Sequence, residues 1–176
     1  PKNIPVSILS YKTKLPFKNL YKTPQTLGSD RIAASVGACF LYPHKNNLII
    51  DAGTCLTFDF VNQKGEYLGG SISPGLEMRL KALCNFTQKL PLIKNTGNAN
   101  LIGKSTRDSI LSGVQNGMAE EIKGMIKNYE SKFLKINIVL TAGDAGFFEN
   151  RLKKCIYARP DLVLIGLNTI LQYNLK

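Results

Sequence analysis

The sequence predicts a mixed α/β domain, and three patterns in the 176 residues carry that prediction. Apolar and polar residues alternate between residues 55 and 61, as they do in half-buried β-strands. Apolar residues recur every three or four positions between 105 and 129, which is typical of an amphipathic helix. A short apolar run then leads into small residues and a further helical pattern, so strands alternate with helices along the chain.

The first predicted strands form a β-hairpin. The apolar run Leu48-Ile49-Ile50 ends in the turn Asp51-Ala52-Gly53-Thr54, and the alternation resumes from Cys55 to Val61. A third strand is predicted at Tyr67-Leu68, where the glycines that follow favour a close backbone approach.

The alternation also assigns the faces of the second strand. Leu56, Phe58 and Phe60 are expected to face a core. Thr57 and Asp59 are then expected on the opposite, polar face.

Two helices are predicted by their start signals. Ser73-Pro74-Gly75 supplies an N-cap and a proline at the first helical position, which predicts a helix over 74–85. Ser105-Thr106-Arg107-Asp108 resembles a capping box and opens a helical period that runs to Tyr129. Gly113 and Gly117 lie on one face of that helix, where they either admit another backbone or are simply tolerated.

The last part of the chain is predicted as strand, helix, strand, helix. Ile136 to Leu140 is a buried-type strand, and a helical pattern through Leu152 follows it. Leu162 to Ile165 is predicted as another strand, with a last helix from Gly166 to about Tyr173.

Composition excludes several classes of protein. The 23 Lys and Arg against 12 Asp and Glu give a net charge of +11, but these basic residues are scattered and not interleaved with aromatic ones. This distribution argues against nucleic-acid binding and favours a general attraction for anionic small molecules. No apolar run approaches the roughly 20 residues of a membrane-spanning helix. The four cysteines are far apart and His44 is the only histidine, so we expect reduced thiols in a cytosolic protein without a zinc cluster.

Three turns contain residues suited to chemistry. The turn Asp51-Ala52-Gly53-Thr54 could hold a cation and a phosphate side by side, or be an ordinary hairpin turn. In Gly28-Ser29-Asp30-Arg31, the carboxylate could accept a hydroxyl proton and the guanidinium could bind a carboxylate. Asp30 could equally be the N-cap of a helix. The turn Thr141-Ala142-Gly143-Asp144 could contact a ligand ring, or have Asp144 as a plain N-cap.

The motifs taken together, in their order and spacing from about residue 20 to 170, resemble those of type III pantothenate kinases. That family belongs to the superfamily of acetate kinase, sugar kinases and actin. The residues that carry the resemblance are Tyr21, Pro24 and Leu27-Gly28-Ser29-Asp30-Arg31; Asp51-Ala52-Gly53-Thr54, Thr57 and Asp59; Gly69-Gly70, Ile72 and Pro74-Gly75; Gly103-Lys104-Ser105-Thr106, Gly113 and Gly117; Thr141-Ala142-Gly143-Asp144-Ala145; and Pro160-Asp161-Leu162-Val163-Leu164, Gly166 and Leu167.

The resemblance implies an actin-like fold of two ribonuclease-H-like domains, each a mixed sheet with flanking helices, with ATP between them and usually a homodimer. The family begins with an Asp-x-Gly-Asn-Thr phosphate loop, which is not found before Tyr21. We therefore expect the first domain to be incomplete. Residues 1–40 are assigned to the remainder of the N-terminal domain and residues 41–176 to the C-terminal domain.

The resemblance also implies transfer of the ATP γ-phosphoryl group to the primary hydroxyl of pantothenate, the first step toward coenzyme A, with magnesium present. Asp30 corresponds to the general base. The implied pantothenate pocket consists of Tyr21, Gly28, Ser29, Asp30 and Arg31, with a further contact from Thr106. Asp51 matches the position that holds a monovalent cation, potassium or ammonium, and Thr54 matches an ATP contact.

Two departures from the family and two alternatives remain. Ala142 stands where glycine is common in the family, and Ser105 where asparagine is common. A non-catalytic, accessory-factor-like regulatory protein on the same fold is one alternative, although it would have no physical need for Asp30, Arg31 and Asp51 together. A basic nucleic-acid-binding module is the other, and salt-sensitive binding would reveal it.

Overall fold

The computed structural model describes residues 6–152 and 156–175. In these ranges a mixed sheet is flanked by helices, and its strand order is β1-β4-β3-β2-β5-β6. The strands are β1 (Lys18–Asn19), β2 (Asn46–Ala52), β3 (Cys55–Val61), β4 (Glu66–Pro74), β5 (Ile136–Thr141) and β6 (Tyr157–Ala158). The α-helices are α1 (Ser29–Leu41), α2 (Leu76–Asn85), α3 (Thr106–Lys132), α4 (Ala145–Leu152) and α5 (Leu162–Asn174).

The topology is that of a ribonuclease-H-like domain. Strands β2, β3 and β4 form an antiparallel meander. The chain then returns through helices, so that β5 lies parallel to β2 and β6 lies parallel to β5. The prediction of a mixed sheet with flanking helices is confirmed. The short strand β1 adds to the free edge of β4 in parallel orientation.

The two faces of the sheet bury two separate apolar clusters. Leu56, Phe58 and Phe60 lie in the cluster shared with helices α2, α3 and α4, as predicted. Ile49 and Val61 face the other cluster, which α1 and α5 cover. Thr57 and Asp59 also face this second side, and both are buried rather than solvated.

Helices α1 and α5 approach each other unusually closely. A Cβ added at Gly166 would lie 1.7 Å from the carbonyl oxygen of Ala33, and one added at Gly37 would lie 2.4 Å from that of Leu162. The prediction of a strand at 162–165 is therefore wrong, because these residues form the first turn of α5. A four-residue apolar run does not distinguish a strand from a buried helix, and here the decisive feature is the glycine contact with α1.

We predict opposite effects for alanine at two helical glycines. Gly166→Ala is expected to lower the free energy of unfolding by roughly 1–3 kcal/mol or more, because the new methyl group collides with the α1 backbone. Gly124→Ala is the matched control, since Gly124 is exposed on α3 with nothing within 4 Å of an added Cβ. It should raise stability by about 1 kcal/mol through helix propensity. Urea denaturation measures both, and equal effects would contradict the proposed packing.

The helix starts differ in part from those predicted. Pro74 is the last residue of β4 and Gly75 is the N-cap of α2, so the predicted start at Ser73-Pro74 is wrong. The reason is strand pairing, since Ser73 and Pro74 are paired with Leu56 and Cys55 of β3. The α3 cap is confirmed, because the Ser105 hydroxyl accepts a hydrogen bond from the Asp108 amide at 3.1 Å.

Two interpretations that were open for single positions are decided by the structure. Gly28, not Asp30, is the N-cap of α1. No atom of the described residues lies within 4 Å of a Cβ added at Gly113 or Gly117, so no backbone in that part of the chain approaches them.

The described cysteines, Cys39, Cys55 and Cys84, are free thiols, and Cys155 lies outside the described residues. Over those same residues, no helix combines the length and the apolar character needed to cross a membrane.

Candidate active site

Two loops and the start of a helix converge where the parallel strands β2 and β5 end. The turn after β2 contains Gly53 and Thr54. The amide of Asp144, from the loop after β5, donates to the carbonyl oxygen of Ala52 at 3.0 Å. The amide of Gly75, which precedes α2, donates a hydrogen bond to the carbonyl oxygen of Thr54 at 3.1 Å. Ligands commonly bind at the carboxyl ends of strands in α/β folds, so this edge is the first place to look for a site.

The backbone at this edge is closely packed but open to a ligand. A Cβ added at Gly53 would lie 3.1 Å from Asp51 Oδ1 and 3.4 Å from the Ala142 Cβ. Ala142 has a φ of 73°, in the left-handed region that favours glycine, which explains why glycine suits this position. Thr54 and Gly143 are exposed, so a hydroxyl and a stretch of backbone face the solvent.

Asp51 is a half-buried carboxylate among other carboxylates. Its pKa is raised to about 6, chiefly by burial and in addition by the nearby charges of Asp30 and Asp59. Among the described residues, its side chain has no hydrogen-bond or ion-pair partner. An ionised carboxyl group in this setting is stabilised by a bound cation, and its oxygen chemistry suits a hard cation.

Asp30 lies at the exposed start of α1. Its Oδ1 accepts a hydrogen bond from the amide of Arg31 at 2.9 Å. A Cβ added at Gly28 would lie 2.4 Å from that same oxygen, so glycine leaves the space that the carboxylate occupies. An exposed carboxylate held in this way can accept a proton from a hydroxyl group that comes within hydrogen-bond distance.

Arg31 is buried and bound to a residue that sequence reasoning did not assign to the site. Its Nε donates to Asp59 Oδ1 and Oδ2 at 3.0 and 3.1 Å, and its Nη2 donates to Oδ1 at 2.7 Å. Burial lowers the pKa of Arg31, but the hydrogen bonds and charge of Asp59 outweigh that effect, so the guanidinium stays charged. A carboxylate among the apolar residues of β3 is the sequence signal that could have identified this pair.

Tyr21 completes this part of the site. The centre of its ring lies 5.9 Å from the guanidinium carbon of Arg31, within the range of a cation–π contact. The ring also lies against Gly69, which has a φ of 103° and where an added Cβ would be 3.2 Å from Tyr21 Cδ2. The structure therefore brings Tyr21 and Arg31 together, next to Gly28, Ser29 and Asp30 at the start of α1.

Thr106 lies elsewhere. It is the first residue of α3 and lines an apolar groove of about 880 Å³ between α2 and α3, together with Leu83 and Ile110. None of the described contacts connects Thr106 with Tyr21, Asp30 or Asp51. The described part of a single copy therefore does not join Thr106 to these residues.

The described ranges contain no group of three or more His, Cys, Asp and Glu side chains placed to hold a metal ion. A divalent ion at this edge would therefore need ligands that do not come from such a group of side chains. Magnesium usually keeps several waters and binds through one or two carboxylates together with phosphate oxygens, which fits this arrangement.

Comparisons with known proteins identify the family. The sequence profile of the type III pantothenate kinase family matches residues 2–128. The type III pantothenate kinase of Cytophaga hutchinsonii is 55% identical over 169 residues, covering 96% of this chain and 72% of that protein. The enzymes of Christiangramia forsetii and Phocaeicola vulgatus are 53% and 49% identical, and the chain covers 66% and 69% of their lengths.

A solved structure shows the same fold. It is that of a conserved putative Baf family transcriptional activator from Campylobacter jejuni, with a TM-score of 0.65 and 25% sequence identity. The match covers 90% of this chain and 68% of that protein. The profile match and the identities to these enzymes establish that the chain belongs to the type III pantothenate kinase family.

Proposed function

We propose that the protein phosphorylates the primary hydroxyl of pantothenate with ATP, the first step of coenzyme A biosynthesis. The observation that carries the proposal is the pairing of an exposed carboxylate, Asp30, with a half-buried one, Asp51, at the edge where β2 and β5 end. Phosphoryl transfer needs a base near the acceptor hydroxyl, positioned phosphates and cations to offset charge, and little else from the protein.

The residues divide into an acceptor side and a phosphate side. On the acceptor side, Asp30 takes the proton of the pantothenate hydroxyl, and Tyr21, Gly28, Ser29 and Arg31 surround the substrate. The guanidinium of Arg31 suits the carboxylate of pantothenate, although Asp59 already occupies its Nε and Nη2. Thr106 supplies a further contact to pantothenate, which in a homodimer comes from the second copy, because Thr106 lies apart from these residues within one copy.

On the phosphate side, the hydroxyl of Thr54 contacts ATP and Asp51 holds a monovalent cation, potassium or ammonium. Such a cation, when bound, offsets the negative charge of the phosphates, while magnesium accompanies ATP. The basic surface of the chain, with a net charge of +11, raises the local concentration of both anionic substrates.

We also propose that the protein is a cytoplasmic homodimer. The groove that contains Thr106 adjoins exposed apolar residues, among them Phe86 at 87% exposure. A second copy covering this face would remove that apolar surface from water. The particle mass in solution, measured on the assay preparation, tests this assignment.

The test of function is ADP release by the protein at its natural length, with ATP, magnesium and pantothenate, first with potassium and then with sodium. We expect release that depends on pantothenate and is stimulated by potassium. Mass spectrometry of the preparation confirms its length before the assay. The proposal would be overturned if ADP release were the same with and without pantothenate, or if no ADP were released.

A regulatory role is the second candidate, favoured by the fold match to the putative transcriptional activator. A regulator would bind its target without pantothenate-dependent ADP release. The same preparation therefore separates the two functions.

A further inference from the structure

We propose that Asp59 is a positioning residue for the acceptor pocket. Its buried carboxylate binds one edge of the Arg31 guanidinium and thereby fixes Arg31 and Tyr21 in the orientation that receives pantothenate. The inference rests on the proposed function, because Arg31 and Tyr21 are substrate residues only if the chain is a pantothenate kinase.

The geometry around Asp59 leaves its carboxylate little freedom. Oδ1 accepts from Arg31 Nη2 at 2.7 Å and from the Tyr67 hydroxyl at 2.5 Å, and Oδ2 accepts from the Thr57 hydroxyl at 3.3 Å. Asp59 is 1% exposed and Tyr67 is fully buried. Burial and the charge of Asp59 raise the pKa of Tyr67 well above its usual range, so the phenol keeps its proton and donates it.

The network reaches Tyr21 by two routes. The first runs through the Arg31 guanidinium, whose carbon lies 5.9 Å from the Tyr21 ring centre. The second runs through the Tyr67 ring, whose centre is 6.1 Å from that of Tyr21 and 5.9 Å from that of Phe17. Asp59 is therefore hydrogen-bonded to both groups that lie next to the Tyr21 ring, the Arg31 guanidinium and the Tyr67 hydroxyl-bearing ring.

Attachment of α1 to the sheet does not require this ion pair. Ile32, Val36 and Ala38 are buried in the apolar cluster that α1 shares with the sheet and α5. Burying two charges is costly, and a well-packed apolar pair is often at least as stable. What the ion pair adds is a fixed direction for the guanidinium, because a bidentate contact restrains both the position and the plane of that group.

The test is steady-state kinetics of the protein at its natural length, with Asp59→Asn compared with the parent. Asparagine keeps the shape but loses the charge and the acceptor at one atom, so Arg31 is free to turn. We expect the KM for pantothenate to rise on the order of tenfold to a hundredfold, with the KM for ATP little changed. Asp161→Asn is the matched control, since Asp161 pairs with Arg159 through two hydrogen bonds of 3.1 Å on the surface.

A double variant separates positioning from a merely structural role. Asp59→Asn combined with Arg31→Gln removes both buried charges, so the melting temperature should recover toward that of the parent. The KM for pantothenate should stay as high as in Arg31→Gln alone. If the melting temperature and the KM for pantothenate of the double variant both returned toward the parental values, Asp59 would have a structural role only. The same would follow if Asp59→Asn raised the KM for pantothenate and the KM for ATP equally.

Tyr67→Phe keeps the test decisive if Asp59→Asn does not fold. It removes one hydrogen bond to Asp59 and retains the ring that contacts Phe17 and Tyr21. We expect a several-fold rise in the KM for pantothenate, and an unchanged value would overturn the inference. A parent protein without pantothenate-dependent ADP release would instead overturn the proposed function, and the inference would fall with it.

Discussion

The Asp30→Asn variant should phosphorylate pantothenate about 10² to 10⁴ times more slowly than the parent, the range typical of a lost general base. Asparagine has nearly the shape of aspartate but cannot accept the proton of the attacking hydroxyl. Asp30 is exposed at the start of α1 and makes no ion pair among the described residues. Its replacement by asparagine therefore breaks no ion pair that stabilises this part of the fold. The measurement is kcat from ADP release, with ATP affinity determined separately and expected to be little changed.

Asp161→Asn serves as the control for this prediction too. It is the same substitution at the start of another helix, since Asp161 is the exposed N-cap of α5. Its turnover should equal that of the parent. Near-parental turnover of Asp30→Asn would show that another group takes the proton.

The elements with strong local signals were predictable from the sequence. The hairpin of β2 and β3 was predictable because a short apolar run, a turn of small residues and a strict period of two follow one another, and Gly53 and Thr54 lie in that turn. Helix α3 was found because Ser105 caps it as its sequence indicates. These signals act between residues a few positions apart, so no knowledge of the tertiary structure was needed.

The elements that depend on distant partners were not predictable. Leu162 to Ile165 has the composition of a buried strand, and its helical state depends on the contact of Gly166 with Ala33 on α1. The start of α2 depends in the same way on the pairing of Pro74 with Cys55 of β3. Each of these outcomes is fixed by backbone atoms far away in the sequence.

The candidate site shows the same division. Asp30 and Asp51 were identified from local motifs, and their electrostatic coupling places them in one neighbourhood. Asp59 was predicted only as a polar residue on a strand face. Its partnership with Arg31, 28 positions away, required the packing of α1 on the sheet.

Replacing Asp51 by asparagine should abolish the activation by potassium while leaving the fold intact. Asparagine keeps the size of the side chain but cannot offset a cation charge. Because Asp51 lies close to Asp30 and Asp59, its neutral replacement also removes carboxylate repulsion. The variant should therefore have the same rate of ADP release in potassium and in sodium, at equal ionic strength. A variant that responds to potassium as the parent does would place the cation elsewhere.

The pH dependence of stability provides an independent check on Asp51. Its pKa in the folded protein is about 6, above the ordinary value of 3.8, so the folded state binds the proton more tightly than the unfolded state. Without a cation, the stability of the parent relative to Asp51→Asn should therefore fall as the pH rises from about 4 to 6, and stay lower above that range. Potassium competes with the proton for the same carboxyl group, so it should raise the melting temperature of the parent at pH 7.5 far more than at pH 4.5. The stabilisation by potassium at pH 7.5 should be absent from Asp51→Asn. Parallel pH profiles of stability for the two proteins would mean that the pKa of Asp51 is not raised, and equal stabilisation of both proteins by potassium would mean that Asp51 does not bind the cation.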